Sequence, residues 1–214
     1  MSTSAFFHYK YLWRVADDAR VRAERLSNEH NPDNFGQGLV AILFAAAATE
    51  AFINEVTYSV RLDADLYTVT AYHSSLADFA AQMTKAVADR ESLEEKYLLA
   101  SALLGHPLSK GRRPLQELES LNDARNFLVH LTPEPSALVA NLEQRGIATK
   151  RKTFRNYLGE NKPLGSQVDA SANPRAAEWA CDAARDIILA VGDMFPAEAT
   201  PSLSLLMFDF PPER

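Results

Sequence analysis

The fold of this chain is decided by the stretch LNDARNFLVH, which runs from Leu121 to His130. At about 100° per residue, this stretch continues the apolar face of a helix. Arg125 lies in the middle of that face, where an ordinary core helix would carry another leucine. A desolvated guanidinium is costly without a partner, so we expect a carboxylate, a second subunit or a phosphate opposite it. The apolar face consists of Leu115, Leu118, Leu121, Leu128 and Val129.

Polar side chains line one edge of the same predicted helix. Asn122, Asn126 and His130 recur every four residues along the chain, which places them above one another on a helix. We predict that this motif helix spans about 114–131, because proline suits a first helical turn and two prolines at 133 and 135 stop the helix. A second pair with the same spacing, Arg25 and His30, lies at a polar helix end before a turn, and we interpret it as chance.

Length and composition indicate a globular, helical protein. The chain has 214 residues with a net charge of -6, few glycines and many apolar residues, which favours one helical domain over 1–214. The negative charge disfavours non-specific nucleic-acid binding but leaves room for a local basic site. Cys181 is the single cysteine, which excludes an internal disulfide and a thiolate zinc cluster.

The sequence also gives an expectation about location. The start of the chain lacks the pattern of a signal peptide, and the longest apolar run, 39–48, is too short to cross a bilayer. We therefore expect a cytoplasmic protein that makes no membrane contact.

Apolar periodicity predicts an all-α bundle of about five to six main helices. A capping box at Ser92 and Glu95 should start one helix, and Gly105 should end it. Between the motif helix and the final helix we expect an irregular basic insertion at 132–173, and after the final helix a tail at 196–214. Besides the motif helix, the predicted helices cover about 6–28, 38–62, 74–89, 92–104 and 174–195.

Glu50 is the predicted partner of Arg125. It shares an arc of its helix with Leu39, Leu43 and Ala46, so we expect its carboxylate to be desolvated and to pair with a cation. Two interpretations stay open at this point. In one, the two residues form a purely structural ion pair; in the other, Glu50 positions Arg125 or polarises His130.

Basic residues in the insertion are candidates for substrate binding. Phe154 and Tyr157 are interleaved with them, so the segment has both cations for phosphates and aromatic rings for bases. The alternative is a solvated loop, and the same two interpretations apply to the basic run 110–113. No spacing typical of metal ligands or of a nucleotide-binding loop occurs, and we expect no metal and no cofactor. The candidate residues are Lys150, Arg151, Lys152 and Arg155.

The stretch from Leu121 to His130, late in a helical chain, resembles the HEPN superfamily. The hallmark of that superfamily is an R-x4-6-H motif, commonly with a polar residue directly after the arginine, as Asn126 is here. The run AAATEAFINE, residues 46–55, is similar to an early HEPN helix that often carries an acidic or polar residue facing the motif. The likeness covers about 36–131 and, by position, the final helix, but not the insertion.

This resemblance implies a homodimer formed through the motif helix and, in active members, a metal-independent endoribonuclease of toxin–antitoxin, abortive-infection and other antiviral defence systems. His130 would act as general base or acid, and Arg125 would hold the scissile phosphate. Asn126 would contact phosphate or orient the histidine, Glu50 would fix Arg125, and Asn122 would contact the substrate. Attack by the ribose 2′-OH would leave a 2′,3′-cyclic phosphate and a 5′-OH. RNA is the expected substrate, and an antitoxin or regulator protein is a candidate partner.

The chain departs from the superfamily pattern at one position. Members paired with a nucleotidyltransferase antitoxin typically have a tyrosine two residues after the histidine, and Thr132 stands there. Other members are not nucleases. The alternative function is therefore a non-catalytic helical dimerisation or protein-interaction module, in which the apolar tail segment 203–208 docks on a partner.

Overall fold

The computed structural model describes residues 8–29, 34–66, 73–129 and 174–195, together with Phe210. Within these residues the protein has six helices and no strand, so the predicted all-α fold is confirmed. The insertion 132–173 and the rest of the tail lie outside the described residues. The helices are α1 (His8–Asn28), α2 (Asn34–Leu66), α3 (His73–Ala88), α4 (Leu93–Leu103), α5 (Leu115–Val129) and α6 (Pro174–Gly192).

Helix α2 is longer than the sequence pattern predicted. It begins at Asn34 rather than near residue 38, and it ends at Leu66 rather than near residue 62. Apolar periodicity marks a helix only where apolar residues recur, whereas the backbone conformation defines its ends, so the two differ by a few residues. Helix α5 begins at Leu115, directly after Pro114 instead of including it.

Helix α4 has the predicted signals at both ends. Ser92 Oγ accepts a hydrogen bond from the Glu95 backbone N–H at 3.2 Å, and the Glu95 carboxylate accepts one from the Ser92 N–H at 3.0 Å. After the last turn, Gly105 has a φ of +80°. Its N–H and that of His106 donate to the carbonyls of Ala102 and Ser101, which is a Schellman motif. The capping box and the glycine stop are both confirmed.

The chain divides into two compact units. Unit 1 comprises Met1–Tyr11, Ala48–Gln116 and Arg185–Arg214, and unit 2 comprises Leu12–Ala47 and Glu117–Ala184.

Aromatic side chains dominate the packing of unit 1. The ring of Tyr9 lies edge-on to Phe52 at 5.2 Å and to Phe210 at 5.0 Å between centroids. Tyr97 on α4 is fully buried, and its hydroxyl donates to the backbone carbonyl of Thr49 at 2.9 Å. Burial raises the pKa of the Tyr97 hydroxyl, so this group remains a hydrogen-bond donor throughout the ordinary pH range.

Small residues dominate the packing of unit 2. Ala177 on α6 packs with Ala19 and Ala23 on α1 and with Ala41 on α2, each at most 3% exposed. Side chains of this size let helix backbones approach closely, and a packed interior tolerates little change in volume. On α6, the apolar residues that recur at helical spacing are all buried: Ala177, Ala180, Cys181, Ala184, Ile187, Ile188 and Val191.

Helix α2 is also long and apolar enough, over Gly36–Asp63, to be a candidate membrane span by length and composition. The sequence prediction considered only the run 39–48, whereas the apolar stretch continues past Glu50. Half of the most apolar window is buried inside the protein, as is usual for a core helix of a soluble protein. The structure is therefore compatible with a soluble protein.

Candidate functional site

Burial decreases along helix α5 towards its carboxyl end. Leu118, Leu121 and Ala124 are buried, with at most 1% of their surface exposed. In the last turn, Leu128 is half-buried and Val129 is 53% exposed. The predicted apolar face is therefore confirmed for the first turns of α5 and is wrong for the last one, where an apolar side chain faces solvent.

Arg125 lies on the buried face of α5, one turn beyond Leu121, and it is half-buried. Its Nη1 donates a hydrogen bond of 2.8 Å to Oδ1 of Asn126. Among the described residues, the guanidinium thus has a neutral amide as its hydrogen-bond partner. An amide oxygen accepts a hydrogen bond but carries no formal charge, so Asn126 orients the guanidinium without supplying a counter-charge.

Two other predicted site residues lie near the end of α5. Asn122 is half-buried one turn before Asn126, which agrees with its predicted place along the edge of the helix. His130 follows the last residue of α5 directly and lies outside the described residues. The structure therefore brings Arg125 and Asn126 together, and the role of His130 stays a prediction.

The prediction for Glu50 needs correction. Its side chain is exposed, so the expectation of a desolvated carboxylate is wrong. Helix α2 is apolar nearly all round its first half, and such a helix does not reveal which side faces the core. The buried side carries Ile42, Thr49 and Val56, whereas Leu39 and Leu43, which share the arc of Glu50, are only half-buried. Glu50 belongs to unit 1, and Arg125 belongs to unit 2.

The candidate basic residues divide into two groups. Lys150, Arg151, Lys152 and Arg155 lie outside the described residues. The run 110–113 is described and exposed, and Lys110 forms an ion pair of 3.2 Å with Glu94. A carboxylate that neutralises one of the three cations favours the interpretation of this run as a solvated loop.

Sequence reasoning missed a buried polar pair in unit 2. Trp179 Nε1 on α6 donates a hydrogen bond of 2.6 Å to Oε2 of Glu117 on α5. Both residues are only 6% exposed. The sequence signalled the burial of Glu117, because this residue lies one helical turn before Leu121 on the apolar face of α5, but it did not signal the partner.

An open pocket of about 430 Å³ lies in unit 2 beside the end of α1 and the start of α6. None of the predicted site residues lines it. Within the described part of the chain, no three His, Cys, Asp or Glu side chains are grouped so that they could hold a metal ion. The pocket is lined by Glu24, Ser27, Asn28, Pro174 and Arg175.

Compared with known proteins, the chain matches no family model, no curated protein and no solved structure.

Proposed function

We propose that this chain is a metal-independent endoribonuclease of the HEPN type, which acts as a cytoplasmic homodimer in a toxin–antitoxin or abortive-infection system. The observation that carries the proposal is the state of Arg125. It is a half-buried cation on a largely apolar helix face, and its described partner is the neutral amide of Asn126. A guanidinium held in this way retains its charge and further N–H donors for a phosphate.

The chemistry assigned to the site follows from these side chains. Arg125 binds the scissile phosphate and offsets the negative charge that grows in the transition state. Asn126, whose Oδ1 accepts from Arg125, has its amide N–H groups available for a phosphate oxygen. His130, whose ordinary pKa is near neutrality, takes the proton from the ribose 2′-OH or gives one to the leaving 5′-oxygen. The 2′-oxygen attacks phosphorus, and a 2′,3′-cyclic phosphate and a 5′-OH result.

The end of α5 supports the proposed dimer. Val129 is 53% exposed and Leu128 is half-buried, which leaves apolar surface directly beside Arg125 and Asn126. A second copy of the same helix would cover this surface in a two-fold interface and would bring two Arg125 side chains to one groove. In this arrangement the dimer, rather than a single chain, forms the nuclease.

RNA cleavage tests the proposal directly. A panel of single-stranded RNAs is incubated in EDTA with the wild type, Arg125→Ala and His130→Ala. We expect the wild type to cleave, with a loss of roughly 10²-fold or more in each variant. Arg112→Ala, which removes an exposed arginine of the basic loop, should cleave as the wild type does. Absence of wild-type cleavage, or equal cleavage by all proteins, refutes the proposal.

Expression in cells gives a second test. A nuclease toxin should arrest growth when induced without its antitoxin, and Arg125→Ala should relieve the arrest at an equal protein level. Growth arrest that persists in Arg125→Ala would separate toxicity from the proposed site.

The exposed apolar end of α5 also favours a second function, a non-catalytic dimerisation or interaction module. In that case Arg125 only supports the structure. Thermal melts distinguish the two, because a purely structural Arg125 predicts that Arg125→Ala lowers Tm strongly while no RNA phenotype changes. An Arg125→Ala protein that keeps its Tm but loses RNA cleavage supports the nuclease.

A further inference from the structure

The structure contains a buried carboxylate that the proposed chemistry does not use. Glu117 in the first turn of α5 accepts a hydrogen bond of 2.6 Å from the indole of Trp179. Burial of a carboxylate is costly, but a short charge-assisted hydrogen bond and the positive end of the helix dipole both offset that cost. Glu117 is thus a buried carboxyl group held in a defined geometry between two helices.

The helix that supplies the indole has a fixed position within unit 2. Ala177, two residues before Trp179, is fully buried against the alanines of α1 and α2. A close contact between such small residues leaves little room for α6 to shift or rotate. The hydrogen bond therefore connects α5 to α6, a helix whose position is constrained by close packing.

Packing also constrains α5, because Leu118 and Leu121 are buried. Apolar contacts are non-directional, whereas a hydrogen bond depends steeply on distance and angle, so the bond to Trp179 adds a directional constraint on the rotation of α5. Arg125 lies two turns beyond Glu117 on the same helix. A rotation of about 20° moves a side chain at the ~6 Å outer radius of a helix by roughly 2 Å, and a displacement of that size impairs positioning for catalysis.

We propose that Glu117 is a positioning residue, which through its hydrogen bond to Trp179 sets the rotation of α5 and thereby aims Arg125 at the scissile phosphate. The functional part of this inference rests on the proposed nuclease activity. The structural part, the orientation of Arg125, does not.

Four proteins test the inference. Glu117→Gln replaces the carboxylate by an amide whose oxygen can still accept the hydrogen bond from the indole. This variant should cleave RNA within about threefold of the wild type. Trp179→Phe leaves the carboxylate without this donor and should lose both stability and cleavage. The double variant Glu117→Met with Trp179→Phe removes both polar groups, so its Tm should lie above that of Trp179→Phe, and the remaining loss should match that of an ordinary Trp→Phe core change. If the hydrogen bond positions α5, RNA cleavage by the double variant should stay reduced by roughly 10²-fold.

A matched control separates positioning from general loss of packing. Trp13 is the other tryptophan of the chain and is buried to the same degree on α1. Trp13→Phe should affect Tm as a core change does, and it should leave the cleavage rate per folded molecule unchanged.

The orientation of Arg125 can also be measured without RNA. In protein labelled with ¹⁵N-arginine, the Arg125 guanidinium signals, assigned through Arg125→Lys, should shift in the double variant towards those of exposed arginines. A double variant that keeps these signals and cleaves at the wild-type rate overturns the inference. If the wild type itself does not cleave, the proposed function fails, while the arginine signals still decide whether Glu117 orients Arg125.

Discussion

At Arg90 the backbone has a φ of +57°, in the left-handed region that side chains with a Cβ rarely adopt. Arg90 ends α3 in the way that Gly105 ends α4, because its N–H and that of Glu91 donate to the carbonyls of Val87 and Ala86. Both are Schellman motifs, but only the one after α4 has glycine, the residue that this backbone conformation favours.

Arg90→Gly should therefore stabilise the protein by about 0.5–1 kcal/mol, since it removes the strain and touches only an exposed side chain. Urea unfolding measures the change. The reciprocal control is Gly105→Ala, which should destabilise by about 1 kcal/mol. A destabilised Arg90→Gly protein would contradict the strain argument.

Glu55 holds the start of α1 in unit 1. Its Oε1 accepts hydrogen bonds from the backbone N–H of His8 at 2.8 Å and from His8 Nδ1 at 3.2 Å. Burial of the carboxyl raises the pKa of Glu55, and the hydrogen bonds and charge of His8 oppose the rise without cancelling it. The folded protein therefore holds the Glu55 proton more tightly than the unfolded chain does.

The stability of the protein therefore depends on pH through Glu55. The contribution of Glu55 to stability is fully present below its unfolded pKa and is lost as the pH rises through its higher folded pKa. Glu55→Gln cannot ionise, so its stability relative to the wild type should increase between about pH 4 and pH 7. Urea unfolding across that range, with the exposed Glu91→Gln as control, measures the difference. Parallel curves for wild type and Glu55→Gln would contradict the assignment.

At the scale of helices, the exposed end of α5 gives a prediction about assembly. If Val129 packs in a two-fold interface, Val129→Lys places two ammonium groups there and should weaken the dimer by roughly tenfold or more. Val87→Lys is the matched control, because Val87 is also an exposed valine on a helix, at 37%. Light scattering after gel filtration gives the mass of each protein. A dimer that persists in Val129→Lys at low concentration would exclude this face.

The helices themselves could be predicted well, because their signals are local. The capping box of Ser92 and Glu95, the stop at Gly105 and the inward residues of α6 all depend on neighbours within a few positions. Glu50 was misplaced because the first half of α2 is apolar on every side, so the direction of its buried face is set by tertiary packing.

The candidate site could be predicted only in part for the same reason. That Arg125 lies on the apolar face of α5 follows from helical periodicity. That its guanidinium bonds to Asn126 is a choice among side-chain rotamers, and that Val129 is exposed depends on tertiary packing, which helical periodicity does not specify. The bond between Glu117 and Trp179 joins residues 62 positions apart, and no local pattern in the chain specifies such a contact.

At the scale of the whole molecule, charge limits how RNA is held. The chain has a net charge of -6, so the general field of the protein repels a polyanion. RNA binding must then come from a few local cations, and the affinity should depend on salt with a shallow slope set by few phosphate contacts. The proposed RNA binding depends chiefly on Arg125.

In the proposed nuclease, Arg125 promotes attack by the ribose 2′-OH without a metal ion. The most direct measurement is the chemistry of the cleaved RNA ends after incubation in EDTA, with wild type and Arg125→Ala purified in parallel. We expect 2′,3′-cyclic phosphate and 5′-OH ends from the wild type and a loss of roughly 10²-fold in their amount from the variant. Products with 3′-OH and 5′-phosphate ends, or equal amounts from the two proteins, would contradict the proposed role of Arg125.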